Sequence, residues 1–207
     1  MQSGDIKKFE VFVSPLYDAN INDILNDPFN YPDLGQIKYI IDQLFDGLKL
    51  LKDANVCHND IKPRNILYRL VGNGYQIRIA DFGQCNKKGG TPGWTAPIFA
   101  RKRQPGKEDM FSIGLIILRL LCDDEDIFYA IRDNWVNLSQ LAKLNFNNMP
   151  EIKLVRKMIN FDNQPTIQQA KEEWNLIKPQ VQIITDSRLV ALGVPASSLQ
   201  LQYTHSR

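Results

Sequence analysis

Hydrophobic residues recur every three or four positions along several stretches of the chain, and the longest such stretch runs from Asp33 to Lys52. Its apolar side chains fall on one face, as expected of an amphipathic helix that packs against a core. They are Leu34, Ile37, Ile40, Ile41, Leu44, Leu48 and Leu51. Asp33 has a side chain that commonly caps helix N-termini. The pattern therefore predicts a long helix that begins after Asp33.

Four more helices are predicted downstream. The stretch from Asp109 to Cys122 is apolar on most sides, which places this helix inside the domain. The other three are predicted at Glu125 to Arg132, Glu151 to Asn160 and Thr166 to Leu176. From Gln180 onward the periodicity is weak and the chain ends in polar residues, so we expect a poorly ordered tail.

Strand patterns occur in the first half of the chain. Phe9 to Val13 alternates in part and is predicted to be a strand that ends at Pro15. Asn65 to Leu70 and Tyr75 to Ala80 are short strand candidates, and the residues between them, Gly72, Asn73 and Gly74, favour a hairpin turn. Thr91 to Gly106 is rich in Gly, Pro and basic residues and is predicted to be a loop. The expected fold class is α+β and predominantly α-helical.

Composition narrows the function classes. The chain has 207 residues, of which 43% are hydrophobic, enough for one domain with a packed core. Its net charge of +2 argues against a strongly basic nucleic-acid-binding protein. No apolar run reaches membrane-spanning length, and the N-terminus has no apolar signal region. We therefore expect contact with neither nucleic acid nor membrane. The three widely spaced cysteines suit a reducing compartment, so we expect a cytoplasmic or nuclear protein.

Polar side chains concentrate between the long helix and the hairpin. His58 to Asn65 contains a carboxylate, a carboxamide and a lysine, and Asp81 follows the next strand. This combination suits work on Mg²⁺ and phosphate, because Mg²⁺ takes hard oxygen ligands and usually only one or two carboxylates. Taken alone, each segment is better explained as ordinary turn chemistry.

Four motifs in order change that balance. Residues 58–65 match the pattern H-R-D-x-K-x-x-N, and Asp81, Phe82 and Gly83 form D-F-G after a strand. Residues 90–98 are similar to Gly-Thr…Ala-Pro-Glu, and residues 109–114 to Asp-x-x-Ser-x-Gly. The chain thus resembles the C-terminal lobe of eukaryotic-type protein kinases of the Ser/Thr type, from Phe9 to Leu176. We accordingly expect a kinase-like domain over residues 1–178 and a tail over 179–207.

The resemblance implies roles for individual residues. Asp60 would orient the substrate hydroxyl or accept its proton, and Lys62 would contact the transferred phosphate. Thr91 matches the threonine that bonds back to the family's catalytic loop, which corresponds to residues 58–65 of this chain. Asn65 and Asp81 would hold Mg²⁺.

The same resemblance implies an ATP site at the front of the chain. Val13 to Tyr17 aligns with the hinge segment that receives adenine, with Ser14 and Leu16 as nucleotide-binding residues. Asp109 matches the helix residue that anchors the backbone around His58. The implied cofactors are therefore ATP and Mg²⁺.

The chain also departs from the family pattern. No Gly-rich loop, strand lysine or helix glutamate precedes the hinge-like segment, so we expect the N-terminal lobe to be largely missing and this chain alone to be weak or inactive. The arginine before the catalytic aspartate is Asn59, and residues 84–95 contain no Ser or Tyr, so activation by phosphorylation is not expected. The Glu of Ala-Pro-Glu is Ile98, and its usual arginine partner aligns with Gln164. Loss of both members of a buried ion pair is close to neutral.

Two hypotheses remain open. The first is a Ser/Thr protein kinase that transfers the γ-phosphoryl group of ATP to a protein, provided that an N-terminal lobe completes it. The second is a catalytically impaired pseudokinase that acts as a binding module, decoy or regulator of another kinase. The corresponding partner is a protein substrate or a partner kinase. In both cases an exposed hinge and cleft face would favour association.

Overall fold

The computed structural model describes residues 14–27, 29–72, 74–87, 89–96, 106–136 and 149–191. It gives no side-chain description at residues 130, 133–136 and 191. The strand predicted from Phe9 to Val13, the residue Ile98 and the end of the predicted tail after residue 191 lie outside the described residues.

One antiparallel sheet contains three strands in the order β1 (Ala19–Asn20), β2 (Ile66–Val71) and β3 (Gly74–Ile79). β2 and β3 form the predicted hairpin, in a register that runs from Ile66 opposite Ile79 to Val71 opposite Gly74. β1 adds only two residues beside β2 and was not predicted. The sheet thus places the start of β2 and the end of β3 side by side.

Helices make up most of the described chain, in agreement with the predicted α+β class. They are α1 (Ile21–Leu25), α2 (Leu34–Asp53), α3 (Lys107–Leu121), α4 (Glu125–Val136), α5 (Pro150–Ile159), α6 (Ile167–Ile177) and α7 (Asp186–Ala191). Short 3₁₀ turns occur at Pro63–Asn65, Phe82–Gln84 and Lys178–Gln180. The five predicted helices are confirmed, with ends that differ by at most four residues, whereas α1 and α7 were not predicted.

The beginning of α2 is fixed by the predicted cap. The Asp33 side chain accepts a hydrogen bond from the Gln36 backbone N–H at 2.8 Å, and the Gln36 side chain accepts one from the Asp33 N–H at 2.9 Å. This reciprocal capping box satisfies two amide groups that have no partner within the helix.

The core is built around α3, in which nearly every residue from Glu108 to Leu121 is buried. α5 approaches α3 closely at Gly114, where an added Cβ would lie 3.1 Å from the Ile159 Cγ2 and the Met158 Cβ. On the far side of the core, α2 lies between β3 and α6. Its Asp42 carboxylate accepts a hydrogen bond from the Trp174 indole at 2.8 Å. The predicted interior position of α3 is confirmed.

The chain after α6 differs from the predicted tail. Ile184 forms a parallel bridge beside Cys122, and its N–H donates to the Leu121 carbonyl at 2.7 Å. Val181, Ile184 and Leu189 are buried, which makes residues 181–191 part of the packed domain. Periodicity did not reveal this segment because its apolar anchors are irregularly spaced.

No helix in the described parts of the chain is long and apolar enough to cross a membrane.

Candidate active site

The segment that carries the predicted catalytic residues is held by hydrogen bonds to α3, the central helix of the core. Asp109, near the start of α3, is fully buried. Its two carboxylate oxygens accept hydrogen bonds from the backbone N–H groups of His58 and Asn59, each at 2.8 Å. The predicted anchoring of this backbone by Asp109 is therefore present. It fixes the loop to the most buried helix of the domain.

Asp60 lies at the centre of a small polar group. Its Oδ1 accepts hydrogen bonds from the Thr91 backbone N–H at 2.9 Å and from the Thr91 hydroxyl at 2.7 Å. Its Oδ2 accepts from the Lys62 ammonium at 2.8 Å and from the Asn65 amide at 3.2 Å. The structure thus brings together four of the predicted residues, although Thr91 lies 31 positions from Asp60 in the sequence.

These contacts keep the central carboxylate charged. Burial alone would raise the pKa of Asp60, but the hydrogen bonds from Lys62 and Thr91 and the positive charge of Lys62 outweigh it and hold the pKa below its ordinary value. The Lys62 ammonium also donates to the Thr91 hydroxyl at 2.7 Å. About a fifth of the Lys62 side chain remains exposed, so the cation stands between the carboxylate and solvent.

Asp81 stands beside this group at the end of β3. The preceding residue, Ala80, donates its N–H to the Asn65 carbonyl at 2.8 Å, which places the two segments next to each other. The Asp81 backbone is left-handed, with φ of 62°, and its exposed carboxylate accepts a hydrogen bond from the Gly83 N–H at 3.3 Å. The ring of Phe82 lies 4.8 Å from that of His58, so the turn after Asp81 rests on the catalytic loop.

The donor set of Asn65 and Asp81 fits a magnesium ion that also binds phosphate. The Asn65 amide nitrogen donates to the Asp60 backbone and side chain, so the side-chain oxygen is the atom suited to a cation. Among the residues described, no group of three or more His, Cys, Asp or Glu side chains could hold a metal. Two oxygen ligands of this kind suit Mg²⁺ that keeps places for phosphate oxygens and water.

The predicted nucleotide-binding residues of the hinge lie apart from this group. Leu16 is 93% exposed, and the Ser14 hydroxyl donates only to the neighbouring Pro15 carbonyl, at 3.4 Å. They lead into β1, which pairs with β2 and also packs against the Pro63–Asn65 turn. Within the described chain, neither residue forms a hydrogen bond with the Asp60 group.

Gly90 belongs to the Gly-Thr motif, but the sequence analysis assigned it no role in the site. Its φ is +137°, and an added Cβ would lie 2.2 Å from the Thr95 hydroxyl and 2.6 Å from the Asn59 carbonyl. Only glycine fits there without displacing backbone, and this close approach brings the next residue, Thr91, to Asp60. The Gly-Gly pair before a motif threonine was the available signal.

Asn59, Asn86 and Gln164 are further polar contacts near the site. Asn59 and Asn86 both have left-handed backbones and bond across to the neighbouring segment. Gln164, which aligns with the family arginine, donates to the Lys107 carbonyl at 2.9 Å and to the Met158 carbonyl at 2.5 Å. It joins α3 and α5 through neutral hydrogen bonds. Positive φ in asparagine is recognisable only from the structure.

A model of the protein kinase domain matches residues 8–193 of this chain. The match includes all of the motif residues described above. It also extends beyond residue 178, where the sequence analysis ended the domain.

Several fungal kinases are similar to part of the chain. The serine/threonine-protein kinase CST20 of Candida albicans is 41% identical over 98 residues, which cover 42% of this chain and 8% of that protein. The serine/threonine-protein kinase ste20 of Aspergillus oryzae is 36% identical over 104 residues, 45% of this chain and 12% of that protein. The serine/threonine-protein kinase CLA4 of Eremothecium gossypii is 33% identical over 111 residues, 48% and 13% respectively. The aligned regions are thus a small fraction of each relative.

Proposed function

Because the chain belongs to the protein kinase family, we propose that it carries the catalytic centre of a Ser/Thr-type protein kinase. The reaction would transfer the γ-phosphoryl group of ATP to a Ser or Thr hydroxyl of a protein substrate. One observation carries this proposal, namely the ionised Asp60 carboxylate bound by both Lys62 and Thr91. The similar fungal proteins named serine/threonine kinases support it.

Asp60 would orient the substrate hydroxyl and accept its proton. Its two oxygens already accept four hydrogen bonds, two on Oδ1 and two on Oδ2. A carboxylate has about four such positions, so the hydroxyl needs one of them to be vacated. Lys62 is the donor that can leave, because its side chain is partly exposed and its ammonium would move to the negative phosphate. Its departure would open Oδ2 to the hydroxyl.

Asn65 and Asp81 would hold Mg²⁺, and the segment around Ser14 and Leu16 would receive adenine. When bound, Mg²⁺-ATP supplies the phosphoryl group and neutralises part of its charge. The protein's own contribution is to position the carboxylate and the oxygen ligands. Thr91 fixes the Asp60 carboxylate, and the pairing of Ala80 with Asn65 fixes the spacing of the two oxygen ligands.

The experiment measures phosphoryl transfer from radiolabelled ATP to a mixture of basic and acidic protein substrates, with thermal shift as a separate readout of Mg²⁺-ATP binding. We expect Asp60→Asn to lower transfer at least about 100-fold, the contribution typical of a positioned acid–base group, and to keep the thermal shift. Asp81→Asn should remove the Mg²⁺-dependent shift. Asp53→Asn, an exposed residue on α2 that pairs with Lys49, is the matched control and should change neither.

A pseudokinase that binds another kinase is the second candidate. Asn59 in place of the family arginine and Ile98 in place of the family glutamate favour it. The exposed side chains of Leu16 and Phe82, 93% and 49% accessible, favour association through the hinge and cleft face. Wild-type protein that shows a Mg²⁺-ATP shift without transfer would favour this candidate. Wild-type protein with neither property would refute the enzymatic proposal for this chain.

A further inference from the structure

Four non-glycine residues of the described chain have a left-handed backbone, and three of them are Asn55, Asn59 and Asn86. This conformation is uncommon outside glycine, and asparagine tolerates it better than most residues do. Asn55 simply follows the end of α2. Asn59 and Asn86, by contrast, both bond to Cys57 at the junction between the catalytic loop and the segment after Asp81.

The side chain of Asn59 acts as a hydrogen-bond donor. Its Nδ2 donates to the Cys57 carbonyl at 3.2 Å and to the Gln84 carbonyl at 3.3 Å. Asn59 is 5% exposed, so these bonds form inside the protein. A single amide group therefore joins the residue before the catalytic loop to the turn that follows Asp81.

The side chain of Asn86 acts as an acceptor. Its Oδ1 accepts a hydrogen bond from the Cys57 N–H at 3.1 Å, while the Asn86 backbone N–H donates to the Cys57 carbonyl at 2.9 Å. Cys57 is thus bonded on both its N–H and its carbonyl. We call these contacts of Asn59 and Asn86 with Cys57 and Gln84 the asparagine clamp.

We propose that Asn59 and Asn86 are positioning residues that fasten the segment after Asp81 to the catalytic loop without a phosphate group. For its relevance to phosphoryl transfer, this inference rests on the proposed function. The only hydroxyl side chains in residues 84–96 are those of Thr91 and Thr95. The Thr91 hydroxyl already bonds Asp60 and Lys62, and that of Thr95 donates to the Thr91 carbonyl at 3.0 Å.

A phosphate on Thr91 would oppose the observed arrangement. It would place a charge of about −2 against the Asp60 carboxylate, in place of the hydroxyl that now donates to it. The clamp supplies the ordering contacts with neutral amide groups instead. It occupies the position at which the resembled family has an arginine.

The Asn59 side chain donates hydrogen bonds and the Asn86 side chain accepts one, and this difference provides a test. Aspartate has nearly the same shape as asparagine and also tolerates the left-handed backbone, but it offers only acceptors when ionised. Asn86→Asp keeps the acceptor for the Cys57 N–H. Asn59→Asp loses its donor and sets a carboxylate against two carbonyl oxygens. A role limited to backbone conformation would make the two variants behave alike.

The experiment measures alkylation of each cysteine by iodoacetamide in the full chain, with peptide mapping by mass spectrometry. Cys57 is 2% exposed and lies within the clamp, so its labelling reports local opening, whereas Cys122 is 0% exposed and reports global unfolding. We expect Asn59→Asp to raise the labelling rate of Cys57 at least about tenfold, because it loses both hydrogen bonds of the Asn59 amide, with Cys122 unchanged. Asn86→Asp and the control Asn55→Asp should label as wild type does.

Glycine variants separate loss of the clamp from failure to fold. Asn59→Gly and Asn86→Gly adopt the left-handed backbone without strain and lose only the amide, so each should raise Cys57 labelling selectively. Wild-type labelling in both glycine variants, or equal responses of the two aspartate variants, would overturn the proposal. Because labelling needs no nucleotide, a wild-type protein without phosphoryl transfer would leave this result independent of the proposed function.

Discussion

Asp60 is a carboxylate whose charge depends on particular neighbours. Burial opposes its ionisation, and the hydrogen bonds from Lys62 and Thr91 more than compensate, so its pKa lies below the ordinary value. A group with a depressed folded-state pKa stabilises the protein above its unfolded-state pKa of about 4, and this stabilisation disappears as the pH falls through the folded-state pKa. The pH dependence of stability therefore reports on this contact.

Lys62→Met should expose that dependence. The variant removes the cation and keeps most of the side-chain volume, so the Asp60 carboxylate loses a charged donor. At pH 7 we expect a loss of about 1–3 kcal/mol in the free energy of unfolding. The difference from wild type should shrink as the pH falls through the depressed folded-state pKa of Asp60, because the carboxylate that Lys62 stabilises is then protonated. Urea denaturation at several pH values measures it.

Lys49→Met is the control for this comparison. Lys49 pairs with Asp53 one turn along α2, and more than half of each side chain is exposed. Such a pair contributes at most about 0.5 kcal/mol, so the control should remain near wild type at every pH. A Lys62→Met difference that stays constant from pH 7 to pH 3 would contradict the link between Lys62 and the charge of Asp60.

At the level of elements, α2 protects the open edge of β3 through one side chain. The Gln43 amide donates to the Tyr75 carbonyl at 2.8 Å and accepts from the Ile77 N–H at 3.0 Å. It thereby imitates the contacts of a neighbouring strand. Gln43→Met should leave both backbone groups without these partners and cost about 2 kcal/mol in urea denaturation, since unsatisfied buried polar groups are costly.

Gln168→Met provides the comparison. Gln168 is exposed on α6 and bonds only Glu172 on the same helix at 2.7 Å. The substitution is chemically the same and should change stability by no more than about 0.5 kcal/mol, as is usual for surface positions. Equal effects of the two variants would show that Gln43 contributes through helix propensity and not through β3.

The elements differ in how far the sequence predicts them. α2 and α3 follow from local periodicity and an identifiable cap, which act within one stretch of chain. β1 does not, because its two residues depend on distant contacts. Asp18, just before it, bonds the Tyr68 carbonyl at 2.9 Å and the Leu70 N–H at 2.8 Å. Local pattern contains no information about a strand that exists only through β2.

The site shows the same division. The motif order predicts that Asp60, Lys62, Asn65 and Thr91 meet, and they do. It does not predict the close approach of backbone at Gly90 or the asparagine clamp, because these depend on backbone torsion angles and on the distance between two loops. Residue type indicates which chemistry is available, whereas the fold decides which atoms face each other.

At the scale of the whole molecule, a buried ion pair ties the end of the described chain to the core. Arg188 of α7 lies 2.7 Å from Glu151 of α5, whose side chain is 1% exposed. Arg188→Met should strand this carboxylate and destabilise the protein by about 3–5 kcal/mol, measured by thermal or urea denaturation. Adding Glu151→Gln should recover part of that loss, because the buried charge is then removed.

An exposed pair serves as reference for the buried one. Lys157 and Glu173 join α5 to α6 at 2.8 Å, with more than half of the Lys157 side chain accessible. Lys157→Met should cost no more than about 1 kcal/mol. If Arg188→Met had an equally small effect, the pair of Arg188 with Glu151 would contribute little to the stability of the domain.

The hydrogen bonds between Asp109 and the backbone of the catalytic loop affect how such a site can evolve. Asp109 binds the backbone N–H groups of His58 and Asn59. Every amino acid except proline offers that N–H, so the contact with Asp109 does not itself restrict the side chain at position 59. The left-handed backbone of Asn59 is the remaining restriction. An arginine that binds a phosphate group and an asparagine that donates to a carbonyl are then alternative residues at position 59 of the same loop. Mutation can change how the site is regulated without first dismantling the loop that carries it.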